Sequence, residues 1–97
     1  MKIFRDKELT QEVLEVDLGI VPAGETKEYT FYLLNDTAAL LKDLVTEIPN
    51  KEVTMIKSPT VMQPKESAEL KFSWSPSITL KQGLKTVVSI AGIELWS

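Results

Sequence analysis

Apolar and polar residues alternate one by one along several stretches of the chain. Leu70, Phe72 and Trp74 alternate with charged or hydroxyl residues in the clearest case, and residues 13–18 and 26–34 follow the same rule. A period of two is typical of a half-buried β-strand, because successive side chains of a strand point to opposite faces. The chain is therefore predicted to form antiparallel β-sheets.

Eleven residues are expected to fill the core between two such sheets, because each occupies the apolar phase of a predicted strand. They are Leu14, Val16, Leu18, Tyr29, Phe31, Leu33, Leu70, Phe72, Trp74, Val88 and Ile90. We expect Trp74 near the centre of the core, where its indole N–H needs an acceptor.

Turn residues separate the strands. Pro22–Glu25, Asn35–Thr37 and Gln63–Glu66 combine Pro, Gly, Asn and Asp in the manner of tight turns. Two strand entries are also alike, since Gly24–Phe31 and Lys65–Phe72 carry Glu, a hydroxyl residue, Glu, an apolar residue and Phe at the same steps. We interpret this echo as two strands that meet the same physical demand, in preference to a duplicated unit.

Two segments leave alternatives open. Ala38–Ile48 has leucines at helical spacing, but it lies between strands and Pro49 would end a helix early, so we favour a strand that begins near Leu41. Leu84–Trp96 is either one long strand or a hairpin that turns at Ala91–Gly92.

The length of 97 residues suits one immunoglobulin-like β-sandwich, with six to eight strands in Greek-key order. We expect a single domain over residues 1–97, in which residues 1–12 form an N-terminal arm or a first strand. No run reaches the ~18 apolar residues of a membrane span, and no signal peptide opens the chain. We therefore expect a cytoplasmic or virion protein that makes no membrane contact.

Composition bears on chemistry as well. The chain has no Cys and no His, which removes thiol nucleophiles, the commonest metal ligand and the usual acid–base group. We expect no enzyme activity, no metal and no cofactor, and the remaining catalytic alternative is a pair of facing carboxylates. A net charge of −3, with scattered lysines and a single arginine, Arg5, argues against nucleic-acid binding.

Three blocks occur in a fixed order: Leu18–Thr26, Tyr29–Thr37 and Met62–Pro76. They are similar to the entry turn "dFG-x-V-x-x-G", the strand "F-x-L-x-N-x-(G/T)" and the strand "P-G-E-S-x-x-(I/L)-x-V-x-F-x-P" of the ASH-type domains. These domains, named for ASPM and Hydin, are immunoglobulin-like relatives of the major sperm protein fold. The chain departs from the family at Leu18, where Phe is usual, and at Lys65, where Gly is usual. The resemblance implies a non-catalytic, protein-binding β-sandwich.

Three residues are candidate partner contacts. Tyr32 and Leu34 lie in the phase opposite to the core, and Trp96 lies in the tail, so all three are expected to be exposed. The resemblance fades after Trp74, and the remaining tail is short for two further full strands. We expect this to leave a sheet edge open to an added strand.

These features predict a structural or adaptor module that binds protein partners and can form a homo-oligomer. Its small size and acidic charge resemble those of the accessory proteins that decorate tailed-phage capsids and tails, which is an analogy of class. The alternatives are a cellular ASH-like scaffold domain and a carbohydrate-binding sandwich, which would need several exposed aromatic side chains.

Overall fold

The structure, a computed structural model, describes residues 1–96 and contains nine β-strands in that range. They are β1 (Lys2–Phe4), β2 (Glu12–Val13), β3 (Val16–Gly19), β4 (Lys27–Leu34), β5 (Leu40–Glu47), β6 (Val53–Lys57), β7 (Ser67–Trp74), β8 (Leu84–Thr86) and β9 (Ser89–Leu95). The count exceeds the predicted six to eight because β1 and β2, of three and two residues, are too short to show alternation.

The strands form two layers. One is a five-stranded antiparallel sheet in the order β2-β1-β4-β7-β6. The other is made of two antiparallel ribbons, β3 with β8 and β5 with β9, and residues 60–62 run along the outer side of β5 through a bridge between Leu41 and Met62. The shortest dimension of the molecule, 16 Å, suits two sheets about 10 Å apart. The predicted all-β antiparallel sandwich is confirmed.

The core lies between these layers. Phe72 sits at its centre, with the ring centroids of Tyr29 and Phe31 stacked at 5.5 and 5.9 Å from its own. The predicted core residues that are buried are Val16, Leu18, Phe31, Leu33, Leu70, Phe72 and Trp74. Tyr29, Val88 and Ile90 are partly buried and pack against them. Within residues 1–96 the Trp74 indole N–H meets no acceptor, in contrast to the expectation.

The assignment of Leu14 to the core is wrong. Its side chain is 89% exposed, because the chain crosses from one layer to the other between Val13 and Val16. Residues 13–18 are thus parts of two strands in different sheets, and the apparent alternation across them has no single inner face.

The two ambiguous segments are resolved. Leu40–Glu47 is a strand, which agrees with the interpretation favoured above. Leu84–Trp96 is neither one strand nor a hairpin, because β8 pairs with β3 and β9 pairs with β5. The chain changes partner at Val87–Val88, and no turn forms at Ala91–Gly92, which lie inside β9.

Two turns of the same type introduce β4 and β7. In Pro22–Glu25 the amide of Glu25 donates to the carbonyl of Pro22, and Gly24 has a φ of 83°. In Gln63–Glu66 the amide of Glu66 donates to the carbonyl of Gln63, and Lys65 has a φ of 64°. Both are type II turns, which require a positive φ at the third position. The sequence echo thus reflects one turn geometry used twice.

Candidate functional site

The outer surface of the β5–β9 ribbon is largely apolar around Lys42. Strand β5 has a bulge at Asp43 and Leu44, opposite Gly92 of β9. Because of this bulge, Leu41 and Leu44 both point to the core, and the side chains on either side of them point outward. The outward set, which we name the ribbon face, consists of Leu40, Lys42, Val45, Val61, Ala91, Ile93 and Leu95, with the charged Lys42 opposite Ile93. Its four large exposed members, Val45, Val61, Ile93 and Leu95, have between 44% and 55% of their surface in contact with solvent. A contiguous apolar patch on a sheet is typical of a protein contact surface.

One edge of this ribbon is open. β9 pairs with β5 on one side, and no strand within residues 1–96 pairs with it on the other. Residues 86–96 contain no Lys, Arg or Pro, and Glu94 is their one charged residue. Native sheets usually protect an edge with such residues, so β9 has the backbone and the composition to accept another strand. The tail, expected to be short for two further full strands, forms both β8 and β9, and the open edge belongs to β9 itself.

A groove of about 270 Å³ runs beneath this edge. Its lining is mostly apolar and comprises Met1, Thr37, Leu41, Leu44, Ile90, Ala91, Gly92 and Glu94. Engineered apolar cavities of about 150 Å³ accept a benzene ring, so the groove has room for one large aromatic side chain. A strand added to β9 would direct alternate side chains into it.

Gly92 shapes both the ribbon and the groove. A Cβ atom at this position would lie 2.6 Å from Leu44 Cδ2 and 2.9 Å from the Lys42 carbonyl oxygen. The bulge in β5 therefore fits against β9 only because Gly92 has no side chain. The sequence suggested a turn here, and the structure shows a close approach of two strands.

The three predicted contact residues do not lie together. Trp96 is 65% exposed, and its indole nitrogen donates to Glu94 Oε2 at 3.2 Å. Tyr32 and Leu34 are half-buried on the outer face of the five-stranded sheet, where Tyr32 lies opposite Phe4. Trp96 follows β9 in the other layer, so these residues form no shared aromatic platform of the kind that a carbohydrate-binding sandwich needs.

Sequence reasoning missed most of the ribbon face. Val45 and Val61 lie in segments without a clear strand pattern, and Ile93 and Leu95 were part of a segment with two alternative structures. The local signal that could have revealed them is the alternation between Ile90 and Leu95. There the outward residues Ala91, Ile93 and Leu95 alternate with Ile90, Gly92 and Glu94.

A second cleft lies at the other ribbon, beside β4. It is lined by Arg5, Asp17, Leu18, Gly19, Lys27, Tyr29 and Phe31. The Tyr29 hydroxyl donates to the Leu18 carbonyl at 2.6 Å, and the Lys27 ammonium lies 5.4 Å from the Tyr29 ring centroid. Partial burial, with a smaller contribution from the Asp17 carboxylate, raises the pKa of Tyr29 above its usual value of 10.0.

The catalytic alternative finds no matching geometry in these depressions. The groove under β9 carries one carboxylate, Glu94, and the cleft beside β4 carries one, Asp17. A glycosidase-type mechanism needs two carboxylates facing each other. Among residues 1–96, no group of three or more His, Cys, Asp or Glu side chains could hold a metal ion. That same range holds no helix with the length and apolar character of a membrane span.

The family comparison agrees with the architecture. The model of the HYDIN/CFA65/VesB-like Ig-like domain matches residues 8–92. No curated protein and no solved structure gives a significant match. The matched range takes in all of β2 to β8 and most of β9, including the groove and the bulge at Gly92. The chain therefore belongs to the family of HYDIN/CFA65/VesB-like immunoglobulin-like domains.

Proposed function

We propose that this protein is a non-catalytic adaptor that binds another protein through the ribbon face. The observation that carries the proposal is the exposure of Val45, Val61, Ile93 and Leu95 on one side of one ribbon. A partner that covers these side chains would stabilise the complex by roughly 25 cal/mol for each Å² of apolar surface removed from water. Membership of an immunoglobulin-like family supports a binding role over a catalytic one.

We propose further that the partner protein belongs to a multi-component assembly, such as the capsid or tail of a tailed phage. In such a lattice the partner surface repeats, and weak individual contacts suffice because each bound copy is held close to further sites. The protein would then be found in the cytoplasm of the producing cell and on the particle. The small size and the net charge of −3 are compatible with an accessory component of this kind.

Site-specific photo-cross-linking tests the proposal. A benzophenone amino acid is introduced at Val45, on the ribbon face, or at Ile78, which is 65% exposed but lies outside it. Both variants are produced in the cells that carry the gene, and cross-linked peptides are identified by mass spectrometry.

We expect position 45 to cross-link to one other protein and position 78 to give at most scattered products. A capsid or tail protein as the target supports the virion role, and a cellular protein assigns the chain to a cellular scaffold. Equal products from both positions would contradict the ribbon face as the docking surface. As a second check, Val61→Lys should abolish the product formed at position 45.

A further inference from the structure

We propose that the open edge of β9 pairs with β9 of a second copy of this chain, in antiparallel orientation about a two-fold axis at Ile93. The inference rests on the proposed docking role of the ribbon and names a partner for its edge. Pairing would use the backbone edge of β9 and leave the outer side of the ribbon face open to the larger assembly, so the two proposals are tested at different positions and can fail separately.

The first argument is the contrast between β9 and the other edges. β6 carries Lys57 where its register shifts against β7, β3 has a register shift at Asp17, β8 carries Lys85, and β2 is two residues long. Lysines, bulges and short strands are the usual devices against edge pairing. β9 is seven residues long and contains no lysine, and Glu94 is its one charged residue. It is the edge that this sequence leaves available to another strand.

The second argument is register. A two-fold axis at Ile93 sets Ile93 against its own copy and Ala91 against Leu95, so that apolar side chains of the ribbon face meet across the axis. The same axis sets Glu94, the one charged residue of β9, against Gly92, which has no side chain. Directly opposed residues of an antiparallel pair share a face, and apolar pairs there are stabilising.

Neighbouring registers fit less well. An axis at Gly92 would set Glu94 of each copy directly opposite Ile90 of the other, so that a carboxylate would lose hydration against an apolar side chain. An axis at Glu94 would set the two carboxylates directly against each other, which is destabilising. The Ile93 axis avoids both costs.

The third argument is the groove beneath the edge. Trp96 and Glu94 are on the inner side of β9, as their hydrogen bond indicates. In the Ile93 register Trp96 of one copy lies opposite Ile90 of the other, over the groove of about 270 Å³. The exposed indole of each copy thus has a complementary depression in its partner. Burial of a large aromatic at an interface is a common source of binding energy.

The first test measures association. We expect native mass spectrometry and sedimentation velocity of the full chain to show a dimer at micromolar concentration. Ile93→Glu sets two carboxylates against each other at the axis and should raise the dimer dissociation constant at least about tenfold. The variant remains able to fold because Lys42 faces this position within the same ribbon, and its melting temperature checks this.

Two further variants keep the association test specific. Val45→Glu adds the same charge to the ribbon face away from the edge, and it should leave the dimer intact. An equal mixture of Ile93→Glu and Ile93→Lys chains should recover the dimer, because opposite charges then meet at the axis.

The second test reads the register directly, since the chain contains no cysteine of its own. In the Ile93→Cys variant the two thiols face each other with Cα atoms about 5 Å apart, a separation that a disulfide can span. In the Ala91→Cys variant the two thiols are two residues from the axis on each side, so their Cα atoms are roughly 13 Å apart. Oxidised glutathione should therefore link the first variant into covalent dimers and leave the second as single chains.

A wild-type chain that stays monomeric at 100-fold higher concentration (hundreds of micromolar or more) overturns the proposal, as does equal disulfide formation by both variants. The wild-type chain could be monomeric while a benzophenone amino acid at position 93 cross-links in cells to an extended segment of another protein. That result would show that the edge of β9 binds this segment and not a second copy. A dimer without any cross-link from position 45 would sustain this inference and refute the proposed adaptor role. A monomeric chain that still gives the expected cross-link from position 45 would refute this inference and sustain the proposed adaptor role.

Discussion

Asn35 is the fully buried polar side chain of the core region, and it organises the loop after β4. Its Nδ2 group donates to the carbonyls of Ala39 at 2.8 Å and Gln63 at 3.0 Å. Its Oδ1 atom accepts from the amide and the hydroxyl of Thr37 at 3.1 and 2.7 Å. The Asn of the strand block thus ties two loops together, whereas the sequence alone indicated a turn.

Replacing Asn35 with Ala should destabilise the protein by about 3 kcal/mol, because several buried groups lose their partner at once. Asn50→Ala is the matched control, since the Asn50 side chain accepts one hydrogen bond, from the Glu52 amide at 2.8 Å. It should cost about 1 kcal/mol. Urea unfolding measures both, and equal losses would contradict the proposed role of Asn35.

Lys65 occupies a backbone conformation that suits glycine. Its φ of 64° matches that of Gly24, at 83°, in the equivalent turn before β4. A residue with a Cβ atom in this backbone region destabilises the folded state by about 1–2 kcal/mol. Glycine avoids this cost, but its greater freedom in the unfolded chain offsets about 0.5–1 kcal/mol of the gain.

We therefore expect Lys65→Gly to stabilise the protein by about 0.5–1 kcal/mol, and the reciprocal Gly24→Lys to destabilise it. No atom lies within 4 Å of a Cβ added at Gly24, so the second effect is one of backbone conformation. Thermal unfolding of both variants checks the pair of signs. A loss of stability in Lys65→Gly would mean that its hydrogen bond from Lys65 Nζ to the Asp36 carbonyl, at 2.7 Å, outweighs the backbone cost.

The fit of β5 against β9 depends on one missing side chain. Gly92→Val should destabilise the protein by about 1–3 kcal/mol, because the new Cβ meets Leu44 and the Lys42 carbonyl and must push the strands apart. Ala91→Val is the control, since it adds the same side chain one residue earlier on the exposed ribbon face. Denaturant unfolding should find the control close to wild type. An equally small effect at Gly92 would show that the bulge adapts without cost.

The strands that could be predicted are those with strict alternation and one buried face, such as β4 and β7. Their register places Tyr29 opposite Phe72 and Phe31 opposite Leu70, as core-facing residues of paired strands. β5 carries leucines at helical spacing because its bulge shifts the phase from Leu41 to Leu44. The exchange of partner at Val87–Val88 also leaves no local signal. Both features are set by tertiary contacts, which a single sequence does not display.

The stability of the whole molecule should fall in alkaline solution. Because the pKa of Tyr29 is raised in the folded state, the unfolded chain loses this proton first as the pH rises. The contribution of Tyr29 is therefore complete below pH 10.0, the usual tyrosine value, and is lost progressively above it. We expect the urea midpoint of the wild type to drop more steeply above about pH 10 than that of Tyr29→Phe.

Tyr29→Phe should also be less stable near neutral pH by about 1 kcal/mol, since the hydrogen bond to the Leu18 carbonyl is lost. Identical slopes for the wild type and Tyr29→Phe would contradict the assignment.

The sequence indicated the class of the molecule, and its prediction that Trp96 is exposed is confirmed. It also predicted that Tyr32 and Leu34 are exposed contact residues, but both are half-buried in the other layer, where Tyr32 lies opposite Phe4. The site itself could not be located in advance. It is formed where residues near positions 45, 61 and 93 meet, and these are joined only by the pairing of β5 with its two neighbours.

Residues 60–62 cover the outer side of β5 through the bridge between Leu41 and Met62. If β9 pairs with its own copy, both lateral positions of the ribbon are occupied and the joined sheet offers no further strand position along β5. Growth would then stop at a stoichiometry of two, and a chain with an unguarded strand could accumulate to high concentration without polymerising into fibres.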